Sequence, residues 1–169
     1  LLPVDEALAR VLAAARPLSQ RIEVPLVNAL GLVLAADVVS AVDVPPLDNS
    51  AMDGYALRAG DASHSLRVSQ RIPAGGIGVA LAPGTAARIF TGAPIPAGAD
   101  AVVMQEDCVE DAGVLTVSCA VGAGQHIRPR GQDIAAGETV LSAGRVLRPQ
   151  DLGLLASVGR SAAPVYRPL

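Results

Sequence analysis

Val42-Asp43-Val44-Pro45-Pro46-Leu47-Asp48-Asn49 divides the chain into two kinds of sequence. Two consecutive prolines remove backbone donors and push the residue before each towards extended conformations, so these residues cannot form regular helix. Upstream, Asp5 to Ala15 places Leu8, Val11, Leu12 and Ala15 on one face at helical spacing, with Pro17 as the stop. Val24-Pro25-Leu26-Val27 reads as a short strand. Asn28 to Ala35 reads as a turn of helix leading into the extended Asp37-Val38-Val39.

Downstream, from about Tyr55 to Asp133, short β-rich runs take over: Leu66 to Ile72, Ala86 to Phe90, Ala101 to Met104, Val114 to Cys119 and Gln125 to Arg128. Turn clusters such as Ala74-Gly75-Gly76, Ala82-Pro83-Gly84 and Glu110-Asp111-Ala112-Gly113 separate them. Short strands at this spacing predict a small barrel or curled sheet. After Gly137 the pattern reverts, with a helix from Arg148-Pro149-Gln150-Asp151 through Ala156, a stop at Gly159 and a strand over Ala163 to Tyr166. The predicted fold is α+β: a discontinuous mixed αβ domain (1–46 and 136–169) with an inserted, mostly β, barrel-like domain (47–135).

Composition narrows the chemistry. Hydrophobic residues make up 51% of 169 and charged residues 17%, enough apolar surface for a core. Aromatics are only 2%, so stacking platforms for single-stranded nucleic acid are missing, and the net charge of −3 argues against a phosphate-backbone binder. All 13 basic residues are Arg, which excludes Schiff-base lysine chemistry within this segment. Cys108 and Cys119 have no CxxC spacing and read as small core residues. His64 and His126 lack metal-ligand spacing, so no metal ligand is assigned. The opening Leu1 to Glu6 carries acids where a signal peptide needs bases, and no apolar run is long enough to span a membrane, so a cytoplasmic protein without membrane or nucleic-acid partners is expected.

Three segments combine small residues with polar groups. Asp48-Asn49-Ser50-Ala51-Met52-Asp53-Gly54-Tyr55-Ala56 brings carboxylates, an amide, a hydroxyl and a phenol around residues that let backbone N–H groups approach a ligand. Residue types alone equally allow a capped turn at Asp48 and a hairpin corner at Asp53-Gly54. Ile89 to Asp100 ends a strand at Thr91 and continues as a Gly/Pro loop that can present a hydroxyl and amides to an anion, or simply link strands. Ile127-Arg128-Pro129-Arg130-Gly131-Gln132-Asp133-Ile134 offers two guanidinium groups suited to phosphate, or a solvated pair bridged to Asp133. Glu106 and Asp107 read as a charge pair at a strand end.

Taken in order, these segments resemble one family. Asp43 to Ala56 resembles the signature of the MoeA type of molybdopterin molybdenumtransferase and of the gephyrin E domain. Thr91-Gly92-Ala93-Pro94, then Asp100 to Glu106, and finally Arg128-Pro129-Arg130-Gly131-Gln132-Asp133-Ile134 match the family's next blocks. Leu47 stands where the family usually has Phe, and Gln132 where it usually has Glu.

The resemblance implies an enzyme that inserts molybdenum from molybdate into adenylylated molybdopterin, forming molybdenum cofactor and releasing AMP. It also implies Mg²⁺, held mainly by a C-terminal half, a homodimer, and molybdopterin adenylyltransferase as an upstream partner. The family's later molybdopterin-binding and small β domains are not represented in these residues, so this segment alone is expected to be inactive. In the family the cleft is formed between the later domain of one subunit and the β domain of the other. By motif, Asp53 and Asp133 are carried over as catalytic. Asp48, Asn49, Ser50, Thr91, Arg128 and Arg130 are carried over as substrate-binding. The competing readings are a non-catalytic scaffold of the gephyrin type and a free-standing β module that binds an anion.

Overall fold

The computed structural model describes residues 2–16 and 19–168. In chain order the elements are α1 (Val4–Ala14), β1 (Arg21–Pro25), β2 (Val38–Val39), β3 (Asn49–Ser50), β4 (Gly54–Leu57), β5 (Leu66–Ile72) and β6 (Thr85–Ile89). They continue with β7 (Ala101–Met104), β8 (Cys108–Asp111), β9 (Val114–Val117), β10 (Ile127–Arg128), β11 (Thr139–Leu141), α2 (Pro149–Ser157) and β12 (Ala162–Tyr166). The result is a mixed αβ chain dominated by strands. No helix among the described residues is long and apolar enough to cross a membrane.

Two compact units emerge, one from Leu1–Val39 with Thr139–Leu169 and one from Ser40–Glu138. In the first, β1 pairs antiparallel with β12, from Arg21 opposite Tyr166 to Pro25 opposite Ala162, and β2 pairs with β11. Leu34, Leu147, Leu155, Ala163 and Val165 form its buried centre. The helical turn expected over Asn28 to Ala35 is confined to a 3₁₀ turn at Leu26–Asn28. Gly31 then takes a positive φ of 77°, and Val33 and Leu34 bridge to Val146 and Val165. α1 forms as its periodicity predicts, but its apolar face stays exposed: Leu8, Val11 and Leu12 are all more than half accessible. Pro17, expected to end this helix, lies outside the described residues.

α2 begins with Pro149, whose missing N–H costs nothing in a first turn, and ends at Gly159, whose φ of 80° suits a left-handed helix stop. Asp151 is buried at the N-terminal end of this helix. Its carboxylate accepts a hydrogen bond from Arg148 N (2.9 Å) and pairs with the Arg145 guanidinium (2.9 Å). The Arg145 hydrogen bond, reinforced by Arg148, holds the Asp151 carboxyl down at about 2.

The second unit is built on a six-stranded sheet of order β7-β4-β6-β5-β9-β8. Neighbours are antiparallel except β5 and β6, which run parallel with an irregularity between Val68 and Gln70. β7 and β8 end the sheet without pairing to each other, so it is open rather than a closed barrel. One face carries Tyr55, Leu57, Leu66, Ala86, Ala101, Val103 and Leu115, and a second cluster gathers Ala56, Ile72, Leu81, Ala87, Ile89 and Val102. Cys108 and Cys119 pack against the first cluster as free thiols, and burial pushes the Cys108 thiol up to about 11. Residues 40–46 and 134–138 close the base of this unit: Val44 bridges Ile134, Ser40 N donates to Glu138 O, and Gly137 N donates to Ser40 O. The sequence boundary drawn at Pro46 therefore falls inside the unit.

β4 was not among the predicted strands, and it is the most enclosed. All four of its residues are buried, with β6 on one side and β7 on the other. Its first residue must be glycine, because a Cβ on Gly54 would lie 1.9 Å from the carbonyl oxygen of Val103. A Gly54→Ala substitution is expected to lower unfolding free energy by about 3 kcal/mol or more, as overpacking against backbone does, measurable by chemical denaturation. In the first unit, Asp151→Asn tests the buried carboxylate. Because its folded pKa is depressed, its contribution is full above its ordinary value of 3.8 and disappears as pH falls through about 2. The variant should be less stable than the parent near neutrality, with the difference closing across that acid window.

Candidate functional site

Asn49 and Ser50 form β3, paired with Arg128 and Ile127 of β10. The chain then turns over Ala51 to Asp53 before entering β4. Ser50 shapes that turn: its buried hydroxyl donates to Met52 O (2.7 Å) and accepts from Met52 N (3.4 Å). Ser50 is thus engaged by its own backbone and offers no hydroxyl proton to a ligand. Asn49 is partly buried in the ladder, and its backbone bridges Pro94.

Asp53 sits at the mouth of β4, and Thr91 follows the end of β6. The register that puts Gly54 opposite Ile89 brings them together although they are 38 residues apart in sequence. Asp53 Oδ1 accepts from Thr91 N (2.8 Å) and from Thr91 Oγ1 (2.7 Å). These donors, the backbone N–H first, hold the Asp53 carboxyl below its ordinary value, with Arg88 adding a smaller attraction. Asp53 is therefore a carboxylate near neutral pH and not a proton donor. Its Oδ2 has no protein donor among the described residues. Thr91 gives its proton to Asp53, so towards a ligand its hydroxyl can only accept.

Arg88 ties this site together and was missed in the sequence, where it looks like an ordinary strand residue. Its Nη1 donates to Gly54 O (2.8 Å) and Ile89 O (3.2 Å), and its Nη2 donates to Gln105 Oε1 (2.5 Å). Gln105 N in turn donates to Asp53 O (3.1 Å). The Arg88 guanidinium also lies over the Tyr55 ring (5.2 Å) and the Phe90 ring (4.5 Å). The Tyr55 hydroxyl donates to Glu110 (2.7 Å), and burial first, then this bond, pushes the phenol up to about 12. Its spacing in the sequence motif gave no hint of that partner.

The other carried-over residues form a separate network. Arg128 pairs with Asp133, and Arg130 pairs with Asp43. Arg130 N donates to Asp48 Oδ1 (2.7 Å), and Ala136 N donates to Asp43 Oδ1 (2.8 Å). The Ala136 bond, then Arg130, holds the Asp43 carboxyl below its ordinary value. Asp43, Arg130, Ala41, Val42, Pro46 and Ala136 line a depression of about 240 Å³. Within the described residues no hydrogen bond joins Asp48, Arg128, Arg130 or Asp133 to the Asp53–Thr91 pair. Nor do three or more His, Cys, Asp or Glu side chains gather as a cation site.

The MoeA N-terminal region (domain I and II) is the family whose model matches, over residues 2–159. A Mycobacterium tuberculosis protein named molybdopterin molybdenumtransferase 2 is 46% identical, over 95% of this chain and 41% of its own length. A molybdopterin molybdenumtransferase of Synechococcus elongatus is 39% identical, over 100% of this chain and 44% of its own. The crystal structure of a molybdopterin biosynthesis moeA protein from Pyrococcus horikoshii superposes with a TM-score of 0.92 at 39% identity, covering 98% of this chain and 46% of that one. The chain thus spans less than half the length of these relatives.

The Asp53–Thr91 geometry can be checked directly. Thr91→Val removes the hydroxyl donor and keeps the backbone one, so the Asp53 pKa should rise while staying below its ordinary value. Carboxyl-detected NMR titration reads this, and an unshifted Asp53 would show that the hydroxyl bond is not made.

Proposed function

The chain belongs to the MoeA N-terminal family, and from that premise we propose that it forms part of a molybdopterin molybdenumtransferase acting in molybdenum cofactor synthesis. The reaction is the insertion of molybdenum from molybdate into adenylylated molybdopterin, with release of AMP. The observation that carries the reading within this chain is the Asp53–Thr91 pair. It is a carboxylate fixed at one oxygen and open at the other, at the mouth of a strand no larger residue could enter.

The role this geometry supports for Asp53 is positioning by charge. Oδ1 is fixed by Thr91, and Oδ2 is left to accept a hydrogen bond from substrate or water. Since its pKa is lowered, it suits an orienting anion rather than an acid or a general base. Asp133, paired with the Arg128 guanidinium, and Asp48, which accepts from the Arg130 backbone N–H, support the reading differently: both carboxylates brace the loop that carries the third motif. Mg²⁺ is part of the proposal, held mainly by the C-terminal half that the family's members have. A homodimer, a cytoplasmic location and delivery of substrate by a molybdopterin adenylyltransferase complete the proposal.

In the full-length protein, Asp53→Ala is expected to reduce molybdenum insertion by roughly 10²-fold, the scale of a lost positioning contact, with folding intact by circular dichroism. The 169-residue chain by itself should show no turnover, since it corresponds to 41–46% of the relatives' length. A well-folded full-length protein without insertion activity would replace the enzyme reading with a scaffold of the gephyrin type.

A further inference from the structure

Arg71 of β5 and Arg88 of β6 are register partners on parallel strands. Both guanidinium groups lie 4.5 Å from the centre of the same Phe90 ring. Two like charges side by side on a sheet are unfavourable unless something offsets them. The aromatic ring does so in part, through its negative face. The two arginines differ in what their N–H groups do. Arg88 is committed to Gly54, Ile89 and Gln105. Arg71 is exposed and, among the described residues, donates to no protein acceptor and pairs with no carboxylate.

Three carboxylates of this unit each accept through one oxygen from another partner. Asp53 accepts from Thr91, Glu106 from Gln105 and Glu110 from Tyr55. Arg88 lies over the Phe90 ring and also attracts the Asp53 carboxylate, and Thr91, which follows Phe90, holds Asp53. Arg71 therefore presents a planar set of donors, held by stacking, on the strand beside the one that leads into the Asp53–Thr91 pair. A guanidinium fixed in this way loses little freedom when it binds, and its fork matches two oxygens of a tetrahedral anion.

We propose that Arg71, stacked on Phe90 beside Arg88, is an anion-binding arm of the Asp53–Thr91 site that takes a phosphate-type oxoanion. This rests on the reading of that pair as the functional site. The anion is either the phosphate of a nucleotide or a free inorganic oxoanion, which share the same tetrahedral chemistry.

Calorimetric titration of the full-length protein with AMP and, separately, with inorganic phosphate tests it. Arg71→Ala should weaken at least one of the two by ~10-fold, the lower end for a charge-assisted contact at an exposed position. Arg71→Lys should restore only part of the loss, because an ammonium neither forks nor stacks as a guanidinium does. Loss confined to AMP assigns a nucleotide phosphate, and loss confined to phosphate assigns a free oxoanion. Equal affinities in parent and Arg71→Ala for both anions, or no binding of either to the parent at millimolar concentration, would overturn the proposal. The readout is independent of turnover. A protein that inserts no molybdenum yet loses affinity in Arg71→Ala would refute the enzyme reading and leave the arm in place. Normal insertion with unchanged affinities would refute the arm alone.

Discussion

The approach of β4 to β7 at Gly54 is the constraint on which the second unit is arranged. The Val103 carbonyl occupies the space that a side chain would need, so the strand passes only with hydrogen at that position. Once it passes, β4 pairs on both edges and buries all of its residues, which joins β7 to β6 and makes one sheet of six strands. The same passage delivers Asp53 to the end of β6, where Thr91 waits with two donors. Arg88 then clasps the carbonyl of Gly54 and the side chain of Gln105, whose own N–H holds the carbonyl of Asp53. Packing and site geometry have one origin here.

Much of the sheet was legible because its strands follow simple signals. Leu66 to Ile72 and Ala101 to Met104 became β5 and β7 with their predicted limits, and Thr85–Ile89 and Val114–Val117 differ only at the ends. β4 escaped because a strand buried on both faces does not alternate, and because Asp53-Gly54 has the residues of a hairpin corner. β8 escaped because Glu110 and Asp111 look like turn residues, although they lie on a sheet edge where charge is tolerated. α1 was legible as a helix from its period, yet the period could not say that its apolar face would stay exposed.

The site divides in the same way. Asp53 and Thr91 stood out through their unusual neighbours, but their contact depends on the β4–β6 register, which no local pattern encodes. Arg88, Arg71 and Phe90 read as ordinary strand residues, since a cross-strand stack is invisible until the strands are aligned. Asp43 was passed over beside two prolines, and it is the carboxylate that binds both Arg130 and the amide of Ala136. The charged third motif allowed two readings from its residue types, a phosphate-binding arginine pair or a solvated pair bridged to Asp133. In the fold Arg128 pairs with Asp133 inside the motif, while Arg130 reaches outside it to Asp43 and Asp48.

The closed base of the second unit has a consequence for how the chain folds. With Ser40 hydrogen-bonded to Glu138 and Gly137 to Ser40, the segment leaves and re-enters at neighbouring points. The first unit depends on ladders between residues far apart in sequence, β1 with β12 and β2 with β11. Bringing such partners together across a loop of roughly 100 flexible residues carries an entropic cost that slows folding. A second unit already folded replaces that flexible loop by a short rigid clip, so Val39 and Thr139 start as neighbours. Connectivity would then favour an order in which the interior of the chain matures first and its two ends meet afterwards.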